Sequence, residues 1–355
     1  LRRLPLEVNA MQLHSLLGID LPVIQAPMAG VQGSAMAVAV SQVGGLGSLP
    51  CAMLSTSMLK SELAAIQSQT SRPYNVNFFC HRQPTVDPAI EARWRAALEP
   101  YYAEFGIDRE TIAAGTSRLP FDRPTPEILG HFQPKVVSFH FGLPDDELLN
   151  YVRSWDARIL ASAATIDEAQ WLAAKGVDAV IAQGLEAGGH RGAFLSDDLT
   201  LQSGTFALVP QLVRAVNVPV IAAGGIADAA GVAAALKLGA IAAQVGTAYL
   251  LCPEATTSIA HRTALASEAA RHSVVTNVFS GRPARGIVNR LIRDMGPMSA
   301  LAPAFPLASN AIAPLRAKAE ALGSGDFSPL WAGQNTSGCK TISASALTRE
   351  LAALA

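Results

Sequence analysis

Charge is scarce in this chain and evenly divided. Only 15% of its 355 residues are charged, 27 basic against 28 acidic, for a formal net charge of -1. That balance excludes the broad basic surface that nucleic acid or an anionic membrane would need. Cysteine is scarce too: Cys51, Cys80, Cys252 and Cys339 lie far apart with no CxxC spacing. A zinc site is therefore not expected, nor any other metal site, and the scattered thiols read as small buried hydrophobes in a reducing compartment. Long apolar runs are missing. The Ala-rich stretch 221–251 is interrupted by Gly224, Gly225, Asp228, Lys237 and Gln244, which excludes a membrane span there. Leu1-Arg2-Arg3-Leu4 is followed by no apolar core of a secretory signal. The expectation is a soluble, cytoplasmic protein.

What is present is half hydrophobic and strongly rhythmic. Short β-branched runs at 22–24, 46–49, 74–79, 136–139, 158–162, 179–182, 220–223 and 241–245 alternate with amphipathic stretches. Helices are expected at 34–43, 57–69, 145–154, 166–175, 205–216 and 227–238. This is the pattern of parallel strands buried on both faces. Eight strands suit closure into an α/β class (β/α)8 TIM barrel. An open doubly wound sheet would want GxGxxG after its first strand, and Ala29-Gly30-Val31-Gln32-Gly33 lacks that spacing. The rhythm breaks over 83–121, where Trp94, Tyr101 and Tyr102 stand in a helical run. The reading is a barrel of 1–82 and 122–260, an insertion of 83–121 over its mouth, and a helical segment of 261–355 packing on the barrel and substrate site.

Barrels of this kind build their sites from the loops that follow the strands. Gly224-Gly225 follow the seventh strand directly before a helix, and Gln244 and Gly246-Thr247 follow the eighth. Glycines let backbone amides approach a phosphate, and a helix N-terminus favours its charge. Tight strand-to-helix packing also suits such glycines. Gln183 ends the sixth strand, where its amide can reach the edge of a flat heterocycle. Gly188 and Gly189 permit close approach of a cofactor and place His190 on a flexible, exposed turn. An imidazole there can act as a base near neutral pH. His14, His81, His131, His140, His261 and His272 lack that setting and are read as structural. Arg191 stands beside His190 either as a cation for the site or in a salt bridge holding the loop. Ala26-Pro27-Met28-Ala29-Gly30 offers backbone groups and a thioether to a flavin face, or is simply a packed loop. Asn77, at the end of the third strand, is either a ligand through its amide or a turn stabiliser.

These stretches, read together, resemble the nitronate monooxygenase family. The resemblance rests on Gln25-Ala26-Pro27-Met28-Ala29-Gly30, Val137-Ser138-Phe139-His140-Phe141-Gly142 and Glu186-Ala187-Gly188-Gly189-His190-Arg191-Gly192. Ala223-Gly224-Gly225-Ile226 and Ser280-Gly281-Arg282-Pro283-Ala284-Arg285-Gly286 complete it, in order along nearly the whole chain. The resemblance implies FMN as cofactor, with contacts at Met28, Asn77, Gln183, Gly189, Gly225, Gln244, Gly246 and Thr247, and His190 as the catalytic residue. It implies oxidation of alkyl nitronates such as propionate 3-nitronate by O2, through a flavin semiquinone, to a carbonyl compound and nitrite. The partners are then a nitronate or nitroalkane and O2; the oligomeric state stays open. Two alternatives stand beside it: an NAD(P)H-dependent FMN reductase of enoyl thioesters or quinones on the same barrel, and a non-catalytic flavin binder.

Overall fold

Eight short apolar segments supply the parallel strands, and four of the helices between them start where a small polar side chain holds a free amide. Ser55, Asp145, Thr165 and Asp228 each accept a hydrogen bond from the backbone amide three residues on, which caps the helix that follows. The computed structural model describes residues 6–112, 119–122 and 124–355. Leu1 to Leu4, read above for a secretory signal, and 113–118 of the expected insertion lie outside the described residues.

Helix α1 (Leu6–Leu17) precedes β1 (Val23–Gln25), α2 (Ser34–Gln42), β2 (Gly47–Pro50), α3 (Thr56–Gln69) and β3 (Tyr74–Phe79). Helices α4 (Pro88–Phe105) and α5 (Thr125–Phe132) come before β4 (Val136–His140), α6 (Asp146–Arg153), β5 (Arg158–Ala163), α7 (Ile166–Ala174) and β6 (Ala179–Gln183). The two-residue strand β7 (Gly189–His190) follows, then α8 (Thr205–Ala215), β8 (Val220–Ala223), α9 (Ala229–Lys237) and β9 (Ala242–Val245). The remaining chain forms α10 (Ile259–Leu265), β10 (Ser273–Thr276), β11 (Ala284–Ile287), α11 (Arg290–Met295), α12 (Ala308–Ala321) and α13 (Ala344–Leu351).

The eight-stranded parallel sheet runs β1-β9-β8-β6-β5-β4-β3-β2. A parallel bridge from Ile24 to Leu46 brings its two ends together, so the sheet is a nearly closed (β/α)8 barrel. Its interior packs Ile24, Leu46, Val136, Leu160, Ile181 and Ile221 with Leu13, Leu17 and Ile19. The end of α1 and the turn after it therefore plug the N-terminal end of the barrel. A larger core, with Val40, Leu63, Leu149, Leu172, Leu212 and Val232, lies between strands and helices. Because all strands are parallel, their C-terminal ends share one rim.

Two regions carry structure beyond the sequence reading. Helix α4 turns Trp94, Leu98, Tyr101 and Tyr102 into a separate core with Val278, Leu291, Ile312, Leu315 and Phe327. Tyr102 Oη donates to the Ala311 carbonyl at 2.8 Å and Tyr101 Oη to Asp294 at 3.0 Å. These aromatics join the insertion to the C-terminal segment. That segment, expected to be helical, also contains the hairpin β10–β11, and β11 pairs antiparallel with β7. Pairing over so few residues has no periodicity for a sequence to display.

Candidate active site

The rim holds a cavity of about 270 Å³. Ala26, Met28, Asn77, Gln183, Gly188, Gly189, His190, Gly224, Gly225, Gln244, Gly246 and Thr247 all line it, so the structure brings every residue expected for cofactor and catalysis to one place. Strand β3 continues two residues beyond Asn77. Asn77 is therefore within the strand rather than at its end, and its Nδ2 donates to Ser138 Oγ at 2.9 Å.

In the turn after β8, Gly224 and Gly225 have φ of 120° and 71°, a backbone region that residues with a Cβ rarely adopt. Thr205 Oγ1, at the start of α8, donates to the Gly224 carbonyl at 2.9 Å, while Glu186 accepts from the Thr205 amide at 2.8 Å. The glycine turn is thus braced from the loop after β6. Among the described residues, no group accepts from the amides of Gly225 and Gly246. A Cβ added to Gly246 would lie 3.6 Å from Met28 Sδ and narrow the cavity there. Thr247 Oγ1 accepts from the Gly333 amide at 2.9 Å, which leaves its own proton to be donated. Gln244 Oε1 is buried without a hydrogen-bond partner.

His190 sits differently from the exposed, flexible turn that its glycines suggested. It is half-buried and registered opposite Ala284 in a strand pair. Its Nε2 lies 2.8 Å from Ser280 Oγ. Rings of Phe305, Trp331, Phe141 and Phe79 surround it at 5.2, 5.5, 6.0 and 6.3 Å between centroids. Its backbone is held as well. The Gln183 Nε2 donates to the His190 carbonyl at 3.0 Å, and Gln183 Oε1 accepts from the Gly192 amide at 2.7 Å. The Gln183 amide thus braces the His190 loop from within the cavity wall.

Arg191 turns away from the cavity. It is 1% exposed, and its guanidinium donates to the carbonyls of Gly184 and Gln183 and to Gln202 Oε1, at 2.7 to 2.8 Å. Of the two sequence readings it follows the loop-holding one, through hydrogen bonds rather than a salt bridge. Glu168, also 1% exposed, accepts from the amides of Ala164, Phe194 and Leu195 and fixes the far side of the same loop.

Two histidines read as structural also line the cavity: His140 and His261. His140 ends β4, so strand position alone was a signal for it. Its Nδ1 lies 3.0 Å from Ser162 Oγ and its Nε2 3.2 Å from the His190 carbonyl. Burial depresses its pKa to about 3, so it is neutral and acts on the His190 backbone. His261 comes from α10, outside the barrel repeat, and nothing in the local sequence marks it. Trp331, Gly333 and Asn335 arrive from the C-terminal segment; Asn335 Nδ2 donates to the Gly225 carbonyl at 3.2 Å. Cysteine chemistry is not available to this site. Burial pushes the thiols of Cys51 and Cys80 up, and that of Cys252 to about 12, which keeps them protonated and poorly nucleophilic.

Among the described residues no helix is long and apolar enough to cross a membrane. The profile of the nitronate monooxygenase family matches residues 10–353. Over 342 residues the chain is 41% identical to a nitronate monooxygenase of Paraburkholderia phytofirmans, covering 95% of this chain and 92% of that protein. A nitronate monooxygenase of Pseudomonas aeruginosa is also 41% identical, over 339 residues, with 95% and 96% covered. The crystal structure of nitroalkane oxidase from Streptomyces ansochromogenes superposes with a TM-score of 0.86 at 36% identity, covering 96% of this chain and 97% of that one. FabK from Thermotoga maritima, at 24% identity and a TM-score of 0.70, shares the fold.

Proposed function

Because the chain belongs to the nitronate monooxygenase family, we propose that it oxidises alkyl nitronates with O2 to a carbonyl compound and nitrite, using bound FMN. The observation that carries this reading is the placement of His190 in the same cavity as a glycine-lined anion cradle. The cradle fits a flavin phosphate. Gly225 and Gly246 present amides with no acceptor among the described residues, and the Thr247 hydroxyl stands beside them. The orphaned Gln244 Oε1 offers an acceptor to a ring N–H or a ribityl hydroxyl. Ala26 and Met28 would form a wall against the ring, with Asn77, Gln183, Gly188, Gly189 and Gly224 completing the cofactor site.

FMN supplies the electron transfer between nitronate and O2 that no side chain here can perform. The protein's own work is orientation and proton control. The His190 imidazole, fixed by Gln183, His140 and β11, removes the proton from the carbon beside a nitro group when the substrate arrives neutral. Protonated, the same ring holds the anionic nitronate by a charge-assisted hydrogen bond. The rings of Phe79 and Trp331 keep water from the reacting carbon.

The test is direct. The purified protein should show a flavin absorption spectrum and release nitrite from a preformed nitronate in air. A colourless protein with no nitrite overturns the reading. Anaerobic bleaching by NADH, with no nitrite from any nitronate, would replace it with a flavin reductase; a bound flavin with neither activity would replace it with a binder.

A further inference from the structure

Ser280 is 3% exposed and outside the cavity lining, yet its Oγ lies 2.8 Å from His190 Nε2. The turn that carries it is fixed. The Asn277 carbonyl accepts from the Gly281 amide at 2.7 Å. Gly281 has φ 86°, and a Cβ there would collide with the Pro303 carbonyl. The main chains of the two partners are tied together as well. His190 pairs with Ala284 across the strands, and the Arg191 amide donates to the Pro283 carbonyl at 2.8 Å. The hydroxyl also has a second outlet. It donates to the Arg282 carbonyl at 3.3 Å and accepts from the Arg282 amide at 3.4 Å. Arg282 is itself anchored: its guanidinium donates to the Ala193 carbonyl and stacks on the Phe141 ring at 4.1 Å.

Proton abstraction from a nitroalkane breaks the C–H bond beside the nitro group. The electron pair stays on the substrate as the nitronate, and the proton goes to the ring. In the imidazolium so formed both ring nitrogens carry hydrogen, so Nε2–H donates to Ser280 Oγ whichever tautomer preceded it. Ser280 can accept because its own proton has the Arg282 carbonyl to go to. A hydrogen bond from a charged donor is stronger than one between neutral groups, so this contact favours the charged ring over the neutral one. We propose that Ser280 is a positioning residue that stabilises the imidazolium of His190. The proposal rests on the reading that His190 is the base and the holder of the anion. Other ionisable groups approach the ring from the elements packed around it. His140, on β4, is neutral, its pKa depressed to about 3 by burial. Arg191, Arg282 and Arg285 keep their charge and donate to the carbonyls of Gly184, Ala193 and Leu185. Glu168 and Glu186 accept from the amides of Ala164 and Thr205. His81 stands one ring further out, edge-on to Phe141 and Phe305.

The pH dependence of nitrite release tests this, with kcat/KM measured on neutral nitroethane and on its preformed nitronate. The neutral substrate needs an uncharged ring, so its profile rises with pH through the His190 pKa. The nitronate needs the protonated ring, so its profile falls there. Ser280→Ala should move both limbs to lower pH by about one unit. A loop displaced by lost packing would scale both profiles without moving either limb. Ser280→Thr returns the hydroxyl and should bring the limbs back toward their original position, and flavin absorbance shows that each variant keeps its site. Limbs absent, or unmoved by Ser280→Ala, overturn the proposal, as does a shift that Ser280→Thr does not reverse. If neutral nitroethane is not turned over, the nitronate limb decides alone. Nitrite with fixed limbs leaves nitronate oxidation standing and removes only the role of Ser280, whereas no nitrite from either form removes both.

Discussion

His190 and Gly225 carry the sharpest expectations at the scale of single residues. His190→Asn should retain flavin and lower turnover of neutral 2-nitropropane by about 10²-fold or more, with a much smaller loss on its preformed nitronate. Nitrite assays with the two forms measure this, and an equal loss on both would count against proton abstraction. Gly225→Val places a β-branched residue at φ 71°, where its Cβ would also meet Glu186 at 3.2 Å. The flavin-to-protein absorbance ratio should drop by roughly tenfold, and far-UV circular dichroism should show whether the fold is kept. Both residues were legible in the sequence because glycines after a barrel strand point to close approach of backbone and ligand. His261 was not legible: its place at the cavity depends on where α10 packs, and no neighbour in the chain announces that.

Among the elements, the loop from β6 to β7 matters most, because it holds His190, the proposed base. Arg191→Lys keeps the charge but cannot reach two carbonyls and an amide oxygen at once. We expect it to cost about 2–4 kcal/mol in urea unfolding, and to lower kcat/KM on neutral and ionised substrate alike, since it moves the loop and not the proton. The α4–α12 contact is a contrasting case. Tyr102→Phe removes one buried hydrogen bond to Ala311 and should cost about 1 kcal/mol with kcat unchanged, because Tyr102 does not line the cavity. The eight barrel strands were readable from alternation with helices. The β7–β11 pairing was not, because Gly189–His190 and Ala284–Ile287 have too few residues for a period and meet only through the tertiary fold.

The whole molecule should weaken in acid by a route that can be assigned. His140 and His261 have pKa values depressed to about 3 and about 4, in both cases chiefly by burial. Between pH 6.5 and those values the unfolded chain binds more protons than the folded one, so stability falls as pH falls through that window and is constant above it. The combined loss from pH 7.5 to pH 4.5 should be on the order of a few kcal/mol. Urea melts across that range would measure it, and His140→Asn should flatten the slope; an unchanged slope would remove His140 from the account. The sequence by itself determined the parallel barrel, the rim on which the site is built, and the glycine turns with His190, because period and loop position are local properties of a chain. The tertiary structure decided what surrounds them: the strand that pins His190, the aromatic rings around it, and His261 in the cavity wall. Those contacts join residues as far apart as 190 and 331, and packing alone brings such residues together.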